Sequence, residues 1–200
     1  MASAQAHTGR GRPKATNAET LQEAAYDLFL TQGYDSTTIA QITATAGVGR
    51  TTFFNYFAEK SDVFWPEIDK TLARLKLALQ THDKTGIDLL IAAVSDTLKP
   101  WEAGAIPWIL SHFAAIGSPV AALDSSGSRV HEIAALIRTH LVSTPANKNF
   151  TAEIAAATLT GALLAAIFEW VQKGPDRGSI HHHLTQRLQP LAHLFDEKIR

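Results

Sequence analysis

The chain has 200 residues, 46% of them hydrophobic, which is enough for one large domain or two small ones with a real core. It has no cysteine, which excludes disulfides, thiolate catalysis and cysteine-ligated zinc sites. The formal net charge of −1 excludes a broad basic field, so any contact with nucleic acid must come from a few placed side chains.

No segment of the sequence indicates export or membrane insertion. The N-terminal residues are polar and lack the apolar core of a signal peptide. The longest apolar stretch, residues 154–171, is Ala-rich and interrupted by Thr158, Thr160, Gly161 and Glu169. It is predicted to be a buried or interface helix, because a membrane span needs a longer uninterrupted run. The expected location is the cytoplasm.

Residues 1–16 are small and polar and are predicted to form a flexible arm. Arg10, Arg12 and Lys14 give it a local positive charge with no acidic residue. The run R-G-R-P resembles an AT-hook core, in which two arginines separated by glycine lie along a narrow A·T-rich minor groove. The alternative is a tail that is merely solvated.

Residues 17–62 are predicted to form a domain of three helices. The first begins at Asn17 or Ala18 and ends at Gly33. Its apolar side chains fall at helical spacing: Leu21, Ala24, Ala25, Leu28 and Phe29.

The second and third helices are short and separated by a tight turn. Thr37 or Thr38 caps the second helix, which ends near Gly47. The third is predicted to run over residues 49–57, and Ser61 then caps a long fourth helix.

The third helix carries more polar and planar side chains than packing requires. Val48 and Phe53 are expected to dock it on the first two helices. The side chains left on its outer face are Arg50, Thr51, Thr52, Phe54, Asn55 and Tyr56. Arginine can grip guanine or a phosphate, asparagine can grip adenine, and threonine methyls can touch thymine. Gly49 would let the backbone approach a phosphate closely, and Lys60 follows where a cation commonly meets the DNA backbone.

The order T-T-I-x-x-I, A-G-V, a short aromatic helix and then Lys60 resembles the DNA-binding domain of TetR-type transcriptional regulators. The resemblance covers residues 17–64 in motif detail. Gly49 stands where the family often has serine. Phe54 stands where it often has tyrosine, so the usual phenol–phosphate bond is not carried over. With the arm, the candidate DNA-binding residues are Arg10, Arg12, Lys14, Thr37, Thr38, Gly49, Arg50, Thr51, Thr52, Phe54, Asn55, Tyr56 and Lys60. The plain alternative is a pair of ordinary core helices.

Residues 63–200 are predicted to be helical throughout, which makes the chain all-α with about nine helices. The periodic segments after the fourth helix are residues 87–98, 105–115, 128–142, 151–173 and 180–198. Clusters of Gly, Pro, Asn or Asp separate them at residues 99–100, 117–119, 143–149 and 174–176. The resemblance implies that this part binds a small effector and forms a homodimer.

Two helices offer apolar side chains for that dimer. The candidate interface residues are Leu159, Leu163, Ile167, Trp170, Leu184, Leu188, Leu191 and Phe195. Pairing with their two-fold mates would give a four-helix interface, although a monomer core could use the same residues. Pro190 is expected to kink the last helix.

Aromatic side chains on the central helices are candidates for an effector pocket. They are Phe64, Trp65, Trp101, Trp108, His112, Phe113 and Phe168, and ordinary core packing is the alternative for each. Pro66 is either a weak point within the fourth helix or simply the residue at which that helix starts.

Other chemistry finds little support. Consecutive helical residues point about 100° apart, so His181, His182 and His183 are not expected to converge on a metal ion. No cofactor is predicted. The resemblance to TetR-type regulators implies a ligand-responsive DNA-binding regulator, most often a repressor that a small apolar effector releases from a palindromic operator. The alternatives are an architectural DNA binder without an effector and a helical enzyme using His112 or His131 as base.

Overall fold

A computed structural model describes residues 17–113, 119–141 and 152–194. Within these residues there are nine α-helices and no strand, which confirms the all-α prediction. The chain divides into two compact units between Val63 and Phe64. The sequence-based boundary lies one residue earlier.

The N-terminal unit contains three helices, α1 (Asn17–Gln32), α2 (Ile39–Thr45) and α3 (Arg50–Phe54). α1 packs against both of the others. Its core consists of fully buried side chains from all three: Leu21, Ala25, Phe29, Ile42 and Phe53. Gly33 follows the last residue of α1; its φ of 83° suits glycine, and its amide donates to the Phe29 carbonyl at 3.0 Å.

Two boundaries in this region differ from prediction. α3 ends at Phe54, and Asn55 and Tyr56 continue as a turn in which the Tyr56 amide donates to the Phe53 carbonyl at 3.0 Å. Ser61 does not cap the fourth helix, because residues Lys60–Phe64 form a separate 3-10 turn. The fourth helix, α4 (Pro66–Thr81), begins at Pro66 itself, where proline suits the first turn.

The C-terminal unit adds α5 (Gly86–Glu102), α6 (Trp108–His112), α7 (Pro119–Leu141), α8 (Ala152–Gln172) and α9 (Ile180–Leu188). α5 is the central helix, because it packs against α4, α7 and α9. α8 packs against α6, α7 and α9. One continuous apolar core joins these helices, with Leu90, Trp170 and Leu184 fully buried.

Proline and glycine positions account for the other differences. α5 continues through Pro100 to Glu102, although the sequence predicts a break there. Pro100 lies in the last turn, so only one helical hydrogen bond near the end is lost. α7 begins at Pro119, nine residues before the predicted start, and includes the Ser- and Gly-rich residues 125–128. α9 ends at Leu188, and Gln189–Leu194, which contains Pro190, is a 3-10 helix instead of a kinked α-helix.

α8 is long and apolar enough to cross a membrane by length and composition alone. It nevertheless buries eight side chains in the core of the C-terminal unit, including Ala155, Leu159 and Trp170. A core helix passes the same test of length and composition, so the packing of α8 agrees with the prediction of a buried helix.

Candidate functional site

Two local features position α2 and α3: a cap at the start of α2 and a left-handed glycine in the turn after it. Thr38 Oγ1 accepts from the Gln41 amide at 3.2 Å, and Gln41 Oε1 accepts from the Thr38 amide at 2.8 Å. This reciprocal capping box fixes where α2 begins. Gly47 has a φ of 68°, which reverses the chain between the helices, and the Val48 amide then donates to the Thr43 carbonyl at 3.0 Å.

α3 buries its aromatic side and exposes its polar side. Phe53 is fully buried, and its ring lies 5.4 Å from that of the buried Phe57. The side chains exposed along α3 and the following turn are Arg50, Thr51, Phe54, Asn55 and Tyr56, while Thr52 is half-buried. A helix that reads a DNA groove needs a buried apolar side chain that fixes it to its own domain. It also needs an exposed face that carries hydrogen-bond donors, acceptors and rings.

Arg50 and Phe54 lie together on the exposed face, one turn apart. The Arg50 guanidinium is 5.6 Å from the centroid of the Phe54 ring. A cation over an aromatic face is attracted by about 0.5–1 kcal/mol at exposed sites. Phe54 therefore restricts the directions in which the Arg50 side chain reaches out.

Gly49 is the N-cap of α3, and the fold does not require glycine at this position. Its φ is −79°, which any residue adopts, and a Cβ added there would meet nothing within 4 Å. The protein itself gives no steric reason for a glycine at this position. A close approach from outside, such as that of a DNA backbone, remains the reason predicted from the sequence.

Lys60, which is predicted to contact phosphate, makes two hydrogen bonds within the protein. Its Nζ donates to the carbonyl oxygens of Tyr34 at 2.7 Å and of Thr37 at 2.8 Å. Burial lowers the pKa of Lys60, opposed by the nearby Asp35 carboxylate. These bonds direct the ammonium into the protein, where it holds the connector between α1 and α2.

Thr37 is likewise internal, whereas the prediction placed it at the DNA. Only 2% of it is exposed. Its hydroxyl donates to the Gly33 carbonyl at 2.8 Å and accepts from Gln32 at 3.1 Å, and its own carbonyl holds Lys60. Thr37 is therefore a positioning residue, and Thr38, the α2 cap, is the exposed member of the pair. Arg10, Arg12 and Lys14 of the predicted arm lie outside the described residues.

The C-terminal unit contains an apolar cavity of about 460 Å³ between α4, α5, α6, α7 and α8. Of the seven predicted pocket residues, Trp65, Trp101, Phe113 and Phe168 line it. The other three do not line it and form a stack instead. The ring centroids of Phe64 and Trp108 are 6.0 Å apart, and those of Trp108 and His112 are 4.7 Å apart.

Most of the cavity wall is aliphatic and was not predicted. The lining aliphatic side chains include Ile68, Leu72, Leu75, Val94, Leu98, Ile133, Leu163 and Ile167. In the sequence they are indistinguishable from core residues, because lining and core positions share the same helical spacing. The signal that could have found them is their clustering around the aromatic candidates once the helices are packed.

One end of the cavity is polar. Arg129 of α7 donates through Nε and Nη2 to the two carboxylate oxygens of Asp69 of α4, at 2.6 and 2.8 Å. Its guanidinium also lies 4.7 Å from the centroid of the Trp65 ring. The Trp65 indole in turn donates to the Ser125 hydroxyl at 3.1 Å. These contacts join the first turn of α4 to α7.

The predicted dimer residues are mostly core residues of the protomer. Five of the eight have at most 1% of their surface exposed: Leu159, Leu163, Trp170, Leu184 and Leu188. Ile167 and Leu191 are half-buried against the same core, and Phe195 lies outside the described residues. The exposed side of α8 instead presents Ala157, Gly161, Ala165 and Phe168, spaced three or four residues apart.

The three consecutive histidines face three different partners. His181 contacts the Ser95 hydroxyl at 3.1 Å, and His182 contacts Gln186 at 2.9 Å. His183 is buried, with Nε2 3.0 Å from the Ala166 carbonyl oxygen. Within residues 17–113, 119–141 and 152–194, no three His, Cys, Asp or Glu side chains gather in a way that could hold a metal ion.

The sequence profile of bacterial regulatory proteins of the tetR family matches residues 21–64. The chain is also 30% identical over 73 residues to MftR of Mycobacterium tuberculosis, described as a mycofactocin biosynthesis transcriptional regulator. That match covers 36% of this chain and 37% of MftR, so it spans little more than a third of the relative.

Solved structures match over most of the chain. NalD, the secondary repressor of the MexAB-OprM multidrug efflux pump in Pseudomonas aeruginosa, is 16% identical with a TM-score of 0.63, over 91% of this chain and 96% of that one. Thermus thermophilus FadR, a TetR-family transcriptional repressor in complex with lauroyl-CoA, is 20% identical with a TM-score of 0.55, over 87% and 92%. At these identities the structural matches establish the fold. The profile falls on the α1–α3 unit, so this unit resembles the tetR family of bacterial regulatory proteins, while the structural matches show that the fold of the chain is similar to that of these repressors.

Proposed function

We propose that the protein is a homodimeric, cytoplasmic transcriptional regulator that reads a near-palindromic DNA site through α3 and leaves it when a small apolar effector binds. The observation that carries the proposal is the row of exposed side chains on α3, anchored from below by the buried Phe53. In this family such a regulator is most often a repressor.

The exposed row supplies the chemistry of base reading. Arg50 offers a fork of donors for guanine or for phosphate, and Asn55 offers the donor and acceptor pair that adenine requires. Thr51 offers a hydroxyl and a methyl group. The Arg50 guanidinium lies 5.6 Å from the centroid of the Phe54 ring, which weakly favours one direction of the Arg50 side chain. Each correct bidentate pair contributes about 1–3 kcal/mol of discrimination between bases.

The basic arm is proposed to add minor-groove and phosphate contacts beside the reading helix. Arg10, Arg12 and Lys14 hold three positive charges in a segment without acids. Deletion of residues 1–14 should weaken operator binding and reduce the slope of log K against log salt by up to about 5, since the two arms of a dimer carry six positive charges and each phosphate contact contributes about 0.9. An unchanged affinity and an unchanged slope after the deletion would show that the arm is only solvated.

The apolar cavity is the proposed effector site. Its volume of about 460 Å³ and its almost wholly hydrophobic wall suit a small apolar molecule. The related FadR structure holds lauroyl-CoA, which has a long apolar chain. An effector can shift the protein away from its DNA-binding arrangement only if it binds the other arrangement more tightly. Trp65 lines the cavity directly before α4 begins, so a ligand there touches that helix at its first turn.

The exposed side of α8 is the proposed dimer contact. Gly161 lies in the middle of this helix, where glycine costs about 0.5–1 kcal/mol relative to alanine. A Cβ at Gly161 would meet nothing within 4 Å, so the protomer gives no steric reason for glycine. A second copy packed closely on Ala157, Gly161 and Ala165 provides one.

Selection from a pool of randomised duplexes tests the DNA-reading proposal. Enrichment should yield a near-palindrome with half-sites about 34–36 Å apart or a multiple of this, which matches two α3 helices related by a two-fold axis. The matched variant Asn55→Ala should relax selection at one base pair per half-site. Enrichment of no sequence at all would instead support an architectural DNA-binding protein.

A further inference from the structure

The cavity has one polar end, and the charge there is already neutralised. Among the lining residues whose side chains the structure describes, Arg129 is the one charged group. The Asp69 carboxylate holds it by two short bonds but does not itself line the cavity. The cavity wall therefore presents the guanidinium and not the carboxylate. An arriving ligand meets an arginine whose charge is already balanced.

The geometry fixes Arg129 in this pairing. The Trp65 ring covers its guanidinium at 4.7 Å, and its Nη1 donates to the Ser125 carbonyl at 3.2 Å. Two further donors of the guanidinium point to Asp69, so three of its five N–H groups are used. One N–H on each Nη has no partner among the described residues. A single oxygen of a ligand can accept from these without breaking the Asp69 pair.

We infer that the cavity selects neutral amphiphiles, with an apolar body and one hydroxyl, ether or carbonyl oxygen at Arg129, over carboxylates of the same skeleton. This inference rests on the proposed effector function of the cavity. A carboxylate entering the apolar wall loses its hydration, and although it can accept the remaining N–H groups, the positive charge that would compensate it is already balanced by Asp69. A neutral oxygen loses far less hydration and accepts the donors that remain.

The test compares 1-decanol with decanoate, which share one alkyl chain and differ in charge. Binding is followed by the fluorescence of Trp65 and Trp101, which both line the cavity. The full-length protein should bind 1-decanol about tenfold or more tightly than decanoate. Asp69→Asn should narrow or reverse that preference by raising the affinity for decanoate, because it leaves the Arg129 charge unbalanced.

Two further variants test whether the change in ligand preference depends on the Asp69–Arg129 pair. Asp96→Asn is the matched control, since Asp96 pairs with Lys99 and His82 and does not line this cavity. It should leave the ratio of the two affinities unchanged. Adding Arg129→Gln to Asp69→Asn should cancel the gain for decanoate. Asp69 is half exposed, so its replacement should not unfold the protein.

The outcomes separate the two levels of the proposal. Tighter binding of decanoate than of 1-decanol by the unaltered protein, or an unchanged ratio in Asp69→Asn, overturns the inference and leaves the cavity an effector site. Saturable binding of neither probe overturns the effector role of the cavity, and the inference with it.

Discussion

The Lys60 ammonium donates a hydrogen bond of 2.7 Å to the backbone carbonyl of Tyr34 and lies 4.0 Å from the centroid of the ring of the same residue. The second bond, to the Thr37 carbonyl, makes Lys60 a bridge between the turn after α3 and the connector before α2. One cation therefore holds the turn after α3 to the connector before α2.

Replacing Lys60 with methionine should destabilise the N-terminal unit by about 1–3 kcal/mol, because two buried carbonyls lose a charged donor. The slope of log K against log salt for DNA should stay the same, since no phosphate contact is lost. Denaturant unfolding and salt titrations of DNA binding measure the two effects. Arg50→Gln is the control with the opposite pattern, namely unchanged stability and a weaker preference for the selected DNA sequence. A smaller slope of log K against log salt in the Lys60 variant would instead support the phosphate contact that the sequence predicts for Lys60.

Gly47 and Gly49 should respond differently to alanine. Gly47→Ala should cost about 1–2 kcal/mol of stability, because its φ of 68° is strained for any residue with a Cβ. Gly49→Ala should leave thermal unfolding unchanged, since its φ is −79° and a Cβ there meets nothing. DNA affinity should nevertheless fall in Gly49→Ala if the backbone approaches a phosphate at this point. Full affinity in that variant would contradict close approach at Gly49.

His183 should make the protein less stable as the pH falls below about 6.5, the ordinary histidine pKa. Its Nε2 donates to the Ala166 carbonyl and its Nδ1 accepts from the Lys173 ammonium at 3.2 Å, so the folded state favours the neutral ring. Burial, and then the Lys173 charge, lower the pKa of His183. The unfolded chain thus takes up a proton at a higher pH than the folded one, and this contribution to stability is lost between pH 6.5 and the lower folded pKa.

The measurement for His183 is the free energy of unfolding between pH 5 and 8, compared among variants. His183→Gln should show a weaker loss of stability on acidification than the unaltered protein. His182→Gln is the matched control, because His182 is exposed and its ring contacts the neighbouring Gln186 side chain. It should retain the full pH dependence. Identical pH profiles for the two variants would contradict the assignment.

Gly161→Glu should separate the dimer without unfolding the protomer. A side chain at this exposed position meets nothing in the protomer, yet a charge there would be buried against a second copy. Sedimentation equilibrium should show monomers, while the thermal unfolding of the protomer core persists. Gly127→Glu, at an exposed glycine of α7 with equally open surroundings, should remain dimeric. A dimeric Gly161 variant would place the interface elsewhere.

The helical fold could be predicted because local sequence patterns determine where the helices begin and end. Apolar spacing, the Thr38 cap and the left-handed Gly33 and Gly47 all act over a few residues. The exposed row on α3 followed from the same logic, since burying Phe53 decides which neighbours face outward. The break predicted at Pro100 was wrong, because α5 continues through this proline in its last turn to Glu102.

The roles of Thr37, Lys60 and the cavity could not be read from sequence. Lys60 bonds carbonyls that are 23 and 26 residues away, and no side-chain pattern shows where those carbonyls point. A cavity is a space left between packed helices, so its aliphatic wall looks like core until the helices are placed. The same holds for Leu159 and Leu184, whose apolar stripes serve the protomer core.

The most direct test of sequence reading by α3 is the ratio of affinities for the selected palindrome and for a scrambled duplex of equal length, measured at one salt concentration. The unaltered protein should prefer the palindrome by about 10³ or more, as specific DNA-binding proteins do. Arg50→Gln should lose about 1–3 kcal/mol of that preference per half-site while remaining folded. A ratio near one for the unaltered protein, or an Arg50 variant that discriminates equally well, would contradict the account.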